Sequence, residues 1–92
     1  MIKSFRRNAL KKFFENGKAK GIPADMAKRL TIRLDFLNRA TILEDVSLPG
    51  WDLHQLKGQR TGVYAISVSG NYRLTFRFDK GEARDVDLED YH

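Results

Sequence analysis

The chain has no cysteine among its 92 residues. That excludes a disulfide framework and any thiolate metal site, and it fits a reducing compartment. Only two histidines are present, and no His-x-x-x-His pair occurs. His54, Asp90 and His92 could be gathered as ligands, but their spacing does not ask for a metal. No apolar run nears the roughly 18 residues needed to span a bilayer. The basic start, Met1-Ile2-Lys3-Ser4-Phe5-Arg6-Arg7, is not followed by the apolar stretch of a signal peptide. A soluble, cytoplasmic protein is expected. The glycines fit neither a Walker A loop nor a dinucleotide fingerprint, and no serine lies in a nucleophile elbow. Repeats, low-complexity segments and linkers are also lacking.

What is present is a short chain with an uneven charge. Ninety-two residues make one expected domain, 1–92, which buries roughly 60–65% of its unfolded surface and has a modest core. The net charge is +5. Residues 1–39 carry 11 Lys or Arg against 3 Asp or Glu, whereas residues 61–92 carry 4 against 6. A basic half suits a polyanionic partner such as RNA, ribosome or DNA. A solvated helix surface would look the same.

Periodicity divides the chain in two. Ile2 to Phe5 reads as a short opening strand. Ala9, Leu10, Phe13 and Phe14 recur at helical spacing from Arg6 to Asn16, and Gly17 is a natural C-cap. A second helix is predicted from Pro23 to Asn38, with Ala27, Leu30, Leu34 and Leu37 as its stripe. Ala40 to Gly50 reads as a loop with one helical turn. The period then changes to two. Strands are expected over Asp52–Lys57, Val63–Val68, Tyr72–Phe78 and Arg84–Tyr91, with turns at Gly70-Asn71 and Lys80-Gly81. The result is an α+β fold: an N-terminal helical hairpin packed on one face of a small antiparallel β-sheet. The other face is left for a site, and alternation directs Arg73, Thr75 and Arg77 toward it.

The groups suited to phosphodiester chemistry fall in the second half. Cleavage of RNA by its own 2′-hydroxyl needs a base, positive charge at the phosphorane and an acid for the leaving 5′-oxygen. His54, His92 and Tyr91 can move protons. Lys57 and Arg73 can hold a phosphate, Arg73 in bidentate fashion. Asp90 can orient a histidine or act as a base, and Tyr91 can instead stack on a base. Each also has an ordinary reading. His54 is then a polar strand residue, Lys57 a solvated turn lysine, Arg73 a partner of Asp85 or Asp87, and Tyr91 an edge aromatic. His54 and Lys57 are three apart, so both serve one site only if the strand ends or bends at Lys57.

Taken in order, five segments carry a resemblance. They are Ile2-Lys3-Ser4-Phe5, Leu10-Lys11-Lys12-Phe13-Phe14-Glu15, Leu53-His54-Gln55-Leu56-Lys57-Gly58, Asn71-Tyr72-Arg73-Leu74-Thr75-Phe76 and the closing Glu89-Asp90-Tyr91-His92. The chain resembles HigB-type toxins of type II toxin–antitoxin pairs, within the RelE/ParE superfamily, over nearly its whole length. The resemblance implies a RelE-like microbial-ribonuclease fold and a metal-independent mRNA endoribonuclease acting in the A site of the 70S ribosome, without a cofactor. It implies a catalytic set of His54, Lys57, Arg73, Asp90, Tyr91 and His92. It further implies a cognate helix-turn-helix, HigA-like antitoxin, through which the pair binds its own promoter DNA, and no membrane partner. Arg6, Arg7, Lys11, Lys12, Lys18, Lys20 and Arg77 are expected to bind RNA or ribosome. The loop Val46–Trp51 and the stretch Arg60-Thr61-Gly62-Val63-Tyr64 depart from the family pattern. Alternatives are a ParE-like inhibitor of DNA gyrase, which shares the scaffold, and a non-catalytic RNA- or partner-binding module.

Overall fold

The structure, a computed structural model, describes residues 1–90. Two helices, α1 (Asn8–Asn16) and α2 (Ala27–Arg39), precede four strands: β1 (His54–Gln55), β2 (Val63–Ser67), β3 (Tyr72–Asp79) and β4 (Glu82–Asp90). The strands form one antiparallel sheet in the order β1-β2-β3-β4. The helices pack on one face of it, as the change of hydrophobic period predicts.

The core explains why each element forms. Leu10 and Phe13 of α1 and Leu30, Leu34 and Leu37 of α2 are buried together with Ile66, Leu74, Phe76, Val86 and Leu88 of the sheet. Each large side chain so buried contributes roughly 1.5–3 kcal/mol. Gly17 ends α1 in the left-handed region, with φ 71°, and its N–H bonds the Phe13 carbonyl at 2.9 Å. A side chain is disfavoured in that conformation, which is why glycine suits the position.

Several boundaries differ from the sequence reading, three of them for a tertiary or local reason. The first helix begins at Asn8 rather than Arg6, because the Arg6 N–H is already bonded to the Val86 carbonyl at 2.9 Å. The second opens with a separate 3-10 turn, Ala24–Met26, and becomes α-helical only at Ala27. The strand expected over Asp52–Lys57 shrinks to two residues. Asp52 takes a left-handed backbone, with φ 50°, and Gly58 another, with φ 75°, so the extended run is interrupted at both ends.

The opening residues do not form a full strand, but they run beside β4 through parallel bridges at Ile2–Ala83 and Phe5–Val86. This contact covers the ladder groups that an open β4 edge would expose.

An irregularity between β3 and β4 sets what faces where. Thr75 pairs with Asp87 but Arg77 pairs with Arg84. Phe76 therefore opposes two residues, Asp85 and Val86, in a β-bulge. Asp85 has a φ of 53° there. The extra residue resets the alternation, so Ala83 and Val86 are both buried although three apart. No helix among the described residues is long and apolar enough to cross a membrane.

Candidate active site

The face opposite the helices is built from alternate residues of adjacent strands. One transverse row is His54, Ala65, Thr75 and Asp87, and the next holds Ser67, Arg73 and Glu89. Directly paired residues share a face, so His54, Thr75, Arg73 and Glu89 lie on the same side. At the strand spacing, the His54 and Thr75 backbones are roughly 10 Å apart.

Glu89 is the centre of this face. The short 3-10 turn Gly58–Arg60, between β1 and β2, brings Arg60 over the sheet. Its Nη1 donates to Glu89 Oε1 at 2.8 Å and its Nη2 to Oε2 at 2.5 Å. Thr75 Oγ1 donates to Glu89 Oε2 at 2.8 Å, and Arg73 Nη2 to Oε1 at 3.4 Å. Thr75 is only 1% exposed, so its hydroxyl needs this acceptor. Hydrogen bonding from Arg60 lowers the Glu89 pKa from 4.5 to about 2 against the opposing effect of burial, with Thr75 and the charge of Arg73 adding to the shift. The same hydrogen bond raises the pKa of Arg60.

Further basic groups border this cluster. Arg7, just before α1, donates from Nε to Asp87 Oδ1 at 2.5 Å. Asp87 is largely buried and also accepts from the Leu88 N–H at 2.9 Å. Arg77 and Asp85 are only loosely paired, at 3.9 Å, and both are half-exposed. A cleft of about 400 Å³ opens here, with Arg6, Gln59, Arg60, Thr75, Arg77 and Asp85 among its walls.

The residues singled out from sequence divide as follows. Arg73 and His54 share the open face, and His54 is exposed, its Nδ1 2.8 Å from the Asp52 carbonyl. Lys57 lies beyond the end of β1, at the start of the 3-10 turn, so strand alternation does not constrain it. It borders a separate depression with Gln55, Leu56, Gly58 and Thr61. Asp90 closes β4 opposite Tyr72, on the alternate parity to Glu89. Tyr91 and His92 lie outside the described residues. Of the expected RNA-binding groups, Arg6 and Arg77 line the cleft and Arg7 is engaged with Asp87. Lys12, Lys18 and Lys20 line a different depression, of about 490 Å³, and Lys11 is exposed on α1.

Arg73 pairs with Glu89 rather than with Asp85 or Asp87. The sequence reading assigned no site role to Arg60 or Glu89, and it had Thr75 only as a residue of the open face. The available signal was the alternation Val86-Asp87-Leu88-Glu89, which puts two carboxylates on the arginine side. The bulge then decides which one meets Arg73.

Among the described residues, a four-stranded antiparallel sheet carries two helices on one face and a basic cluster on the other. A chain of the YoeB-YefM complex from Staphylococcus aureus shares the fold: the TM-score is 0.61 at 18% identity, over 100% of this chain and 95% of that one. Residues 3–92 match the family described as RelE-like toxin of type II toxin-antitoxin system HigB. The chain is also 41% identical to Endoribonuclease HigB of Proteus vulgaris, over 100% of both chains. An uncharacterized protein of Haemophilus influenzae is 28% identical over 87 residues, covering 92% of this chain and 86% of that protein. The chain belongs to the HigB-like toxins.

Proposed function

We propose that this protein is an endoribonuclease toxin that cuts mRNA on the ribosome and is held in check by a cognate antitoxin. Kinship over the full chain with Endoribonuclease HigB supports the nuclease activity. Membership of a toxin–antitoxin family supports neutralisation by a partner. The single observation that supports the chemical reading is the meeting of Arg73 and Glu89 on the open face, across β3 and β4.

In this reading the 2′-oxygen of the message attacks the adjacent phosphorus while a base removes its proton. The P–O5′ bond breaks and an acid returns a proton to the 5′-oxygen. The products are a 2′,3′-cyclic phosphate and a 5′-hydroxyl. Arg73 and Lys57 stabilise the added negative charge of the phosphorane. His92, oriented by Asp90, serves as acid or base, and His54 assists from the same face. Tyr91 stacks on a base or moves a proton. Glu89 is unsuited to be the base: with a pKa of about 2, it holds a proton far too weakly at neutral pH to drive the transfer.

The exposed Lys11, Lys12, Lys18 and Lys20, together with Arg6, Arg7 and Arg77, supply sequence-independent attraction to ribosomal and messenger RNA. Residues 1–92 act as one toxin domain in the cytoplasm, and the antitoxin carries the pair to its promoter DNA. Primer extension on mRNA from cells induced to express the protein tests the reading. Discrete cuts within codons are expected, and they should vanish on co-expression of the antitoxin. Intact mRNA accompanied by DNA damage would instead identify a gyrase inhibitor.

A further inference from the structure

Arg60 has a place in the site that neither its sequence surroundings nor the catalytic set above assigns. It reaches from the turn between β1 and β2 to β4, across the open face, and meets Glu89 with both terminal nitrogens, at 2.8 and 2.5 Å. Glu89 also takes Arg73, at 3.4 Å. One carboxylate thus holds two guanidinium groups side by side, and a buried threonine fixes that carboxylate from below. A stabilising surface ion pair needs only one cation. Two, with Arg6 and Arg77 on the walls of the adjoining cleft, leave the described side chains of this face positive after Glu89 and Asp85 are counted, Arg7 and Asp87 cancelling. Like charges so close repel unless an anion joins them.

We propose that Arg60 is a second phosphate-binding residue of this site, contacting the RNA backbone next to the phosphate held by Arg73, and that Glu89 is the positioning residue that keeps both guanidinium groups in register. The inference rests on the nuclease reading above. The cleft of about 400 Å³ that Arg60 lines with Arg6, Thr75 and Arg77 has room for one nucleotide beside Arg60. Arg60 is still partly exposed at its ion pair with Glu89, so it can form a further hydrogen bond to a phosphate oxygen.

The test uses the purified full-length chain with Arg60→Ala, Arg60→Lys, Glu89→Gln and the double variant Arg60→Ala/Glu89→Gln, and Arg39→Ala as a surface control. Cleavage of ribosome-bound mRNA is measured beside binding to an uncleavable 2′-O-methyl RNA oligomer at several salt concentrations. Arg60→Ala should lower the slope of log affinity against log salt by about 0.7, the value for one lost phosphate contact on a single strand, and should cut kcat/KM by about 10²-fold. Arg60→Lys should keep the slope but lose most of the rate, since the lysine ammonium lacks the planar fork. Glu89→Gln should leave the slope unchanged and lower kcat, and should cost less once Arg60 is gone, because it then acts through Arg73 alone. Thermal unfolding identifies any variant that fails to fold, and Arg60→Lys then carries the test. Unchanged slope and rate in folded Arg60 variants, with wild type cleaving normally, would overturn this inference alone. Additive losses in the double variant would remove the positioning role of Glu89. A wild-type protein that neither binds nor cleaves RNA would instead remove the nuclease reading beneath it.

Discussion

Arg73 and Glu89 face each other across β3 and β4, paired through the backbone register and joined at 3.4 Å through Nη2 and Oε1. The pair ties the closing strand to the arginine-bearing one at the open face. Arg73 is mostly buried there, with its side chain 20% exposed. A guanidinium so placed has little freedom to lose when it meets a phosphate.

Replacing Arg73 with Ala should therefore reduce cleavage of ribosome-bound mRNA by about 10²–10³-fold, the usual cost of losing one donor to a developing oxyanion. Binding of the antitoxin, measured by co-purification or calorimetry, should persist, which shows that the fold is intact. Arg73→Lys should restore only part of the rate, because charge alone does not replace bidentate contact.

Glu89 predicts an acid-sensitive step in stability. Its folded pKa is depressed from 4.5 to about 2, so its contribution is complete above the unfolded value. It is lost as pH falls from about 4.5 through about 2. The loss should amount to about 1–2 kcal/mol once solvent screening is counted. Glu89→Gln should be less stable than wild type at pH 7 and should show a flatter stability profile over that interval. Denaturant titrations at a series of pH values measure both.

Most of the architecture was legible because hydrophobic period is a local signal. Leu30, Leu34 and Leu37 mark one helix face, and Leu74 and Phe76 mark one strand face, whatever the partner. The shortening of the first strand was not legible, because the left-handed backbone at Asp52 is not written in its residue type. The site was harder still. Continuing the β3–β4 hairpin from its Lys80-Gly81 turn without interruption would set Arg73 opposite Leu88. The bulge at Asp85–Val86 shifts the register by one residue, and Glu89 takes that place. Arg60 was missed for a different reason. It lies in a turn, and a turn reveals nothing about the strand it will reach across. Tyr91 and His92 were singled out by their chemistry and by resemblance, and they lie outside the described residues.

Arg33 predicts a role in stability rather than chemistry. It lies over the Trp51 ring at 4.7 Å and donates from Nε to the Ser67 carbonyl at 2.6 Å. It thereby joins α2 to the end of β2 on the helix side of the sheet. Arg33→Ala should cost about 1–2 kcal/mol from the lost cation–π contact and charge-assisted hydrogen bond. For a chain of this size, that is a drop of roughly 5–15 °C in Tm. Calorimetry checks it, and the specific rate of mRNA cleavage by the folded variant should stay within about twofold of wild type.

Gly17 offers a test of the backbone alone. It has a φ of 71° and nothing within 4 Å of where a Cβ would stand. Gly17→Ala should then lower stability by about 1 kcal/mol through strain at the helix end, without a steric clash. Replacement by Asn, which tolerates the left-handed region better, should recover part of the loss. Urea titration distinguishes the two.

The central claim is that a positive face on the sheet, organised around Arg73, cleaves message on the ribosome. It is tested most directly by mapping 5′ ends on a single mRNA in a reconstituted translation system, with wild type and Arg73→Ala side by side. New 5′-hydroxyl ends at discrete codon positions are expected with wild type, only when ribosomes are present, and almost none with Arg73→Ala. Equal cleavage by the two proteins, or intact message with both, would contradict it.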